Sequence, residues 1–195
     1  MNLANKITLS RIGLTFVFMF FLFSQGLVAK YLALITFVFA SLTDLLDGHI
    51  ARKRKTENDF GRLMDPIADK ILVLAAFLAF VEMKIIPAWM VIIIIFRELV
   101  ITGLRIIAAT RGKVLSASLA GKHKTVSQMV AIISILIFLI IKESAQGLWG
   151  PVWELWFERS VFYLMLVTVI FTLISGLSYI IRNKPTLFNA NAKPH

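Results

Sequence analysis

Asp44-Leu45-Leu46-Asp47-Gly48-His49-Ile50-Ala51-Arg52, eight further residues, then Gly61-Arg62-Leu63-Met64-Asp65-Pro66-Ile67-Ala68-Asp69: the reading of this stretch decides the fold. An apolar run from Tyr31 to Thr43 leads into the first pair of acids, and a second run from Ile71 to Val81 leaves the last pair. Each run is shorter than the roughly 20 apolar residues a membrane-crossing helix needs. The acidic halves are therefore expected within the bilayer's depth, where ionised carboxylates are costly unless they face a polar cavity or bind cations.

Asp44 and Asp47 are three residues apart and Asp65 and Asp69 four apart, so each pair shares one face of a helix. Two such helices packed antiparallel bring four carboxylates together. Their mutual repulsion is relieved by cations, and an oxygen-only ligand set favours Mg²⁺ or Mn²⁺. Two hard cations about 3.5–4 Å apart serve in-line displacement at phosphorus. The bland alternative, solvated acids at helix ends, leaves the repeat of the spacing on adjoining helices without a reason. Gly48, Ala51 and Gly61 leave bare backbone beside the acids, where a flat group could approach; they equally suit close helix packing.

Working outward, the 195 residues are 58% hydrophobic and 16% charged, with a mean hydropathy of +0.83. A soluble domain is about 45–50% apolar and about 25% charged, so this chain has more apolar surface than one small core can hide. The net charge of +10 does not indicate nucleic acid, because the basic residues lie between apolar runs and not on a polar domain. The absence of cysteine excludes disulfides, thiolate metal ligands and a cysteine nucleophile.

Six apolar spans are expected, at 8–27, 30–51, 63–83, 86–109, 125–142 and 160–181, giving an all-α polytopic membrane protein. Residues 1–182 form one six-helix domain and 183–195 a polar tail. Lys6 and Arg11 before Ile12–Phe23 have the outline of a signal peptide, but no small-x-small cleavage site follows, so the segment is read as a retained first helix. Arg52, Lys53, Arg54, Lys55, Arg62, Arg111, Lys113, Lys122, Lys124, Arg182, Lys184 and Lys193 fall with Lys6 and Arg11 at one end of the spans. Lys30, Lys84, Lys142 and Arg159 fall at the other, diluted by glutamates. The lysine and arginine bias places both termini in the cytoplasm and the acidic site at the inner face of the plasma membrane. Trp149, Trp153 and Trp156 are read as part of the longest outer loop, suited to the interface or to a protein contact.

The aspartate segment resembles the signature of the CDP-alcohol phosphotransferase family, D-x-x-D-G-x-x-A-R, eight residues, G-x-x-x-D-x-x-x-D, and matches it at every fixed position and spacing. The resemblance implies a six-helix, usually dimeric membrane enzyme that moves a phosphatidyl group from CDP-diacylglycerol onto an alcohol. It implies that Asp44, Asp47 and Asp65 are metal ligands and that Asp69 is the general base, also touching a metal. Gly48, Ala51 and Gly61 would then accommodate the cytidine, and Arg52 would support the nucleotide or the acids. Asn5, Thr8 and Arg11 match the family's N-x-x-T-x-x-R opening and would meet the nucleotide; a helix cap and a positive-inside anchor explain them otherwise.

Arg97 and Glu98 sit deep in the fourth span, as a functional pair or as a salt bridge orienting the bundle. Arg105, Arg111, Lys122 and Lys124 suit either anionic lipid at the surface or an acceptor phosphate. The pattern Arg97-Glu98, Arg105, Gly121-Lys122-His123-Lys124-Thr125 and Gln128 resembles those family members whose acceptor is sn-glycerol 3-phosphate. Inositol phosphate, serine and phosphatidylglycerol are the alternative acceptors, the neutral ones having little use for this cluster. A cation channel or transporter with an acidic site is the rival of another class. His49 and His123 read as spacers, and the Phe-rich first and sixth spans as lipid-facing or packing surface.

Overall fold

The computed structural model describes the backbone of residues 3–51, 59–110, 120–145 and 150–188, and the side chains of 9–43, 70–108, 110, 124–145 and 150–184. These residues form six helices and no strand: α1 (Leu3–Phe23), α2 (Leu27–Ala51), α3 (Asp59–Glu82), α4 (Ala88–Thr110), α5 (Ala120–Ser144) and α6 (Pro151–Phe188). Helix α1 packs on α2 and α3, α5 packs on α2 and α6, and α4 on α3 and α6. The order of elements puts the end of α2, the starts of α3 and α5 and the end of α4 at one end of the bundle.

The core is apolar and drawn from every helix. Phe18 and Leu22 of α1 meet Phe37 and Ala40 of α2, Phe77 and Phe80 of α3, Met90 and Ile94 of α4, Ile132 and Ile135 of α5, and Met165 of α6. The Phe18 and Phe37 rings lie 5.5 Å apart, centroid to centroid, in a tilted arrangement. One residue-turn away the outer surface is as greasy as the core. Phe16 and Phe20 are 73% and 70% exposed, while Phe18 between them is fully buried. Apolar patches of this extent mark a surface covered by something other than water. Lys124–Ser144 and Pro151–Lys184 are each long and apolar enough to cross a bilayer, and Leu9–Phe23 and Leu27–Thr43 are shorter apolar helices. The chain is thus an all-helical protein of membrane type.

Two turns fix the end of the bundle remote from the aspartates. Helix α1 stops at Phe23, short of the expected residue 27, because Gly26 takes a left-handed φ of 97°. The Lys30 ammonium donates to the freed carbonyls of Leu22 and Ser24 at 2.7 and 2.9 Å, a cation at a helix C-terminus. The Gly26 amide donates to Glu143 of α5 at 3.1 Å. Helix α3 ends in a Schellman motif: Ile85 N–H donates to Phe80 O and Lys84 N–H to Val81 O, both at 2.9 Å. Lys84 occupies the left-handed position of that motif, with φ 58°. Glycine holds this conformation without penalty, and a side chain there costs about 1–2 kcal/mol.

Helix α6 departs most from expectation. It runs 38 residues, about 57 Å at 1.5 Å per residue, well beyond 160–181. Trp153 and Trp156 lie in its first two turns, exposed, and not in a loop; Trp149 lies outside the described residues. At its other end the helix continues through Asn183 to Phe188, residues expected to begin the tail. Asn183 is buried and donates to the Tyr179 carbonyl at 2.9 Å, which ties that turn down.

Candidate active site

The acid pairs fall where backbone geometry can join them. Asp44 and Asp47 lie in the last two turns of α2, and Asp65 and Asp69 in the first three turns of α3. The two helices pack against each other and are linked by seven residues. Their side chains lie outside the described atoms, as do those of Asn5 and Thr8 on α1, Ala51 on α2 and Lys122 on α5, while the backbone puts Gly48 on α2 and Gly61 on α3. Arg52 and Arg111 lie outside the described residues altogether. As a donor set, four carboxylates on two consecutive helical segments fit hard divalent ions.

Next to Asp69 begins an ionic network built on a buried carboxylate. Glu98 of α4, 5% exposed, is its hub. One carboxylate oxygen accepts from Lys124 of α5 and from Arg97 at 3.2 Å. The other faces Lys70 of α3 at 3.4 Å, and Lys70 also donates to the Thr102 hydroxyl. One anion thus joins α3, α4 and α5 while answering three cations, an excess of positive charge among the described residues. Buried charges are tolerated only when paired in this manner, so the network fixes the register of three helices beside the acids.

Helix α6 closes the network from the opposite side. Arg97 reaches across to the Ser175 hydroxyl at 2.8 Å. It passes over Gly176, where an added Cβ would lie 3.1 Å from Arg97 Cγ and 3.4 Å from Nε. Ser175 belongs to a stripe on α6, Thr168, Thr172, Ser175, Tyr179 and Asn183, spaced four, three, four and four residues apart and all but closed to solvent. This spacing follows one helical face. The sixth span is therefore not only lipid-facing or packing surface, since one of its faces is a buried polar seam. The Gln128 amide nitrogen of α5 and the Thr172 hydroxyl find no hydrogen-bond partner among the described residues. Buried polar groups left in that state in a bundle interior call for a further partner.

Two turns beyond Glu98 on α4, Arg105 is exposed and rests on Tyr179. Its Nε donates to the phenol oxygen at 3.3 Å, and its guanidinium carbon stands 5.2 Å from the ring centroid. Its two terminal nitrogens have no partner among the described residues. Of the expected acceptor-side cations, the structure thus presents Arg105 outward and ties Lys124 to Glu98. Arg11 is buried in α1, one turn before Thr15, whose hydroxyl donates to the Arg11 carbonyl at 2.9 Å. Sequence reasoning gave Lys70, Thr102, Ser175, Gly176 and Tyr179 no role. The seam on α6 had a periodic signal, whereas Lys70 and Thr102 acquire partners only through packing.

The CDP-alcohol phosphatidyltransferase family model matches residues 1–174, and the chain belongs to this family. Among curated relatives, a Bacillus subtilis CDP-diacylglycerol–glycerol-3-phosphate 3-phosphatidyltransferase is 38% identical over 202 residues, covering 97% of this chain and 99% of its own. A protein named probable phosphatidylglycerophosphate synthase from Mycobacterium tuberculosis is 35% identical over 184 residues, 93% of this chain and 81% of its own. A further CDP-diacylglycerol–glycerol-3-phosphate 3-phosphatidyltransferase, from Cereibacter sphaeroides, is 35% identical over 139 residues, 69% of this chain and 62% of its own.

Proposed function

We propose that this chain transfers the phosphatidyl group of CDP-diacylglycerol to sn-glycerol 3-phosphate, forming phosphatidylglycerophosphate and releasing CMP. The observation that carries the choice of acceptor is the cluster around Glu98: three cations to one carboxylate, on helices adjoining the acidic segment. Such a grouping of cations suits an acceptor that brings its own phosphate, and a neutral alcohol has less use for it.

In this reading Asp69 takes the proton from the acceptor's hydroxyl as its oxygen bonds to the phosphorus attached to diacylglycerol. The bond from that phosphorus to the bridging oxygen breaks, and the electron pair leaves with CMP. Two Mg²⁺ or Mn²⁺ ions, held by Asp44, Asp47, Asp65 and Asp69, would neutralise the diphosphate and stabilise the leaving group when bound. Asn5, Thr8, Gly48, Ala51, Arg52 and Gly61 take the CDP-lipid. Arg105, Lys122, Lys124 and Arg111 take the acceptor phosphate, Arg105 already facing outward on its Tyr179 support. Catalysis is then mainly positioning and electrostatics. All six helices cross the inner membrane in this reading, as a homodimer, with both termini and the active site on the cytoplasmic side.

The test incubates purified protein with CDP-diacylglycerol, labelled glycerol 3-phosphate and Mg²⁺, and follows CMP and labelled lipid. Both products are expected, lost with EDTA and lost by more than about a hundredfold in Asp69→Asn. Full activity in that variant would remove Asp69 as base. Label entering lipid from inositol phosphate, and not from glycerol phosphate, would overturn the acceptor.

A further inference from the structure

We propose that the groove at the end of the bundle remote from the aspartates binds an anionic phospholipid of the facing leaflet. It lies between the α3–α4 turn and the first turns of α6, encloses about 580 Å³, and is lined by Lys84, Glu158 and Arg159 beside Val81, Phe162 and Tyr163. Its size falls in the range of small-molecule sites, about 300–1,000 Å³.

Three observations converge on that occupant. The first is the state of the charges. In the adjoining 280 Å³ cavity, which Lys84 and Glu158 also line, the other ionic groups are satisfied internally: Lys142 pairs with Glu154 at 2.6 Å, Lys30 donates to two carbonyls, and Glu143 accepts from Gly26. Lys84, Glu158 and Arg159 have no such partner among the described residues. Two cations against one carboxylate leave one positive charge, which matches a phosphodiester under an uncharged headgroup and not a zwitterionic lipid.

The second is Lys84 itself. It stands in the left-handed position that ends α3, with φ 58°, where glycine is unstrained. A side chain kept against local strain is a pointer to function, and this one lines the groove. The third is the wall. Val81, Phe162 and Tyr163 line the groove beside the cations, and Phe162 and Tyr163 are exposed. A free phosphate would leave that wall bare, whereas an amphiphile covers it with its acyl chain. Exposed Trp153 and Trp156, one to two turns nearer the start of α6, suit the level of a headgroup.

The test reconstitutes the full chain in nanodiscs of equal phosphatidylglycerol and phosphatidylcholine and counts the lipids retained after detergent release by native mass spectrometry. Wild type is expected to retain phosphatidylglycerol in preference, and Lys84→Gly and Arg159→Gln each to lower that preference about fivefold, the effect of one basic residue at a lipid surface. Lys84→Gly, relieved of strain, should unfold at the same or a higher temperature, so its loss of lipid cannot be misfolding; Arg159→Gln checks the site independently. An unchanged preference in both variants overturns the proposal. So does an equal loss in Arg182→Gln, near the far end of α6, which would mean unspecific charge attraction. A change from dimer to monomer mass with lipid retention intact would assign the groove to a second copy of the chain and equally overturn it.

Discussion

Lys70, the residue after Asp69, reaches from α3 to Glu98 of α4, its ammonium 3.4 Å from the carboxylate. The same carboxylate holds Arg97 and Lys124, so one anion serves three cations with little solvent to assist. Removing the hub strands all three, whereas removing one cation leaves the anion with two partners. Glu98→Gln should therefore cost about 3–5 kcal/mol of stability, the range for breaking a buried pair, and Lys124→Met distinctly less. Denaturant unfolding in a fixed detergent measures both. Equal losses would mean that Glu98 is not the shared element.

That asymmetry marks the boundary of what the sequence discloses. The acids Asp44, Asp47, Asp65 and Asp69 are legible because their spacing is helical and they interrupt two apolar runs, and both segments are helices. The pairing of Arg97 with Glu98 is legible as one of two readings because the residues are adjacent. Lys70 and Lys124 come from other helices, and nothing local says which carboxylate they will meet. The seam of Thr168, Thr172, Ser175 and Tyr179 was hidden for another reason. Hydroxyls are common in apolar helices, where they bond back to their own backbone as Thr168 does to Leu164 at 3.0 Å. Only burial on a common face distinguishes the seam. The extent of α6 escaped because polarity at Asn183 suggested a tail, while its amide bonds within the helix.

Gly176 gives a second expectation, opposite in sign to the usual one. Glycine to alanine in a helix normally gains about 0.5–1 kcal/mol. Exposed Gly13 of α1, with nothing within 4 Å of an added Cβ, should show that gain. At Gly176 the methyl would press on Arg97 Cγ, close to the backbone of α4 and not at the flexible end of the side chain. Gly176→Ala should lose about 1 kcal/mol, as overpacking does, and weaken the reach of Arg97 to Ser175. Unfolding midpoints of the two variants under one condition decide it; a gain at both positions would mean that α4 and α6 yield freely.

Binding of divalent ions can be read without turnover. Four carboxylates on adjoining segments repel in the absence of metal, so Asp65→Asn should leave the metal-free protein as stable as wild type or more so. Saturating Mg²⁺ should raise the wild-type stability by about 2.7 kcal/mol at a hundred times the dissociation constant, and the variant's far less. Thermal unfolding with EDTA and with Mg²⁺ gives all four values. The order of the two proteins should reverse between the conditions, and an equal Mg²⁺ gain in both would remove Asp65 from the ligand set.

The orientation of the bundle has a direct assay because the chain contains no cysteine, so single cysteines can be labelled without background. Thr110 is exposed at the end of α4 that adjoins the acidic segment, and Val152 is exposed in the first turn of α6, at the opposite end. In the proposed orientation the lysine- and arginine-rich Thr110 end faces the cytoplasm. A membrane-impermeant maleimide should then label Val152→Cys in intact cells and Thr110→Cys only once the membrane is opened. If Thr110→Cys is labelled in intact cells, the aspartates would lie on the outer side, away from any cytoplasmic supply of glycerol 3-phosphate, and the proposed reaction would fail with the topology. If neither site is labelled until disruption, α4 to α6 do not carry the chain across the bilayer in the assigned manner.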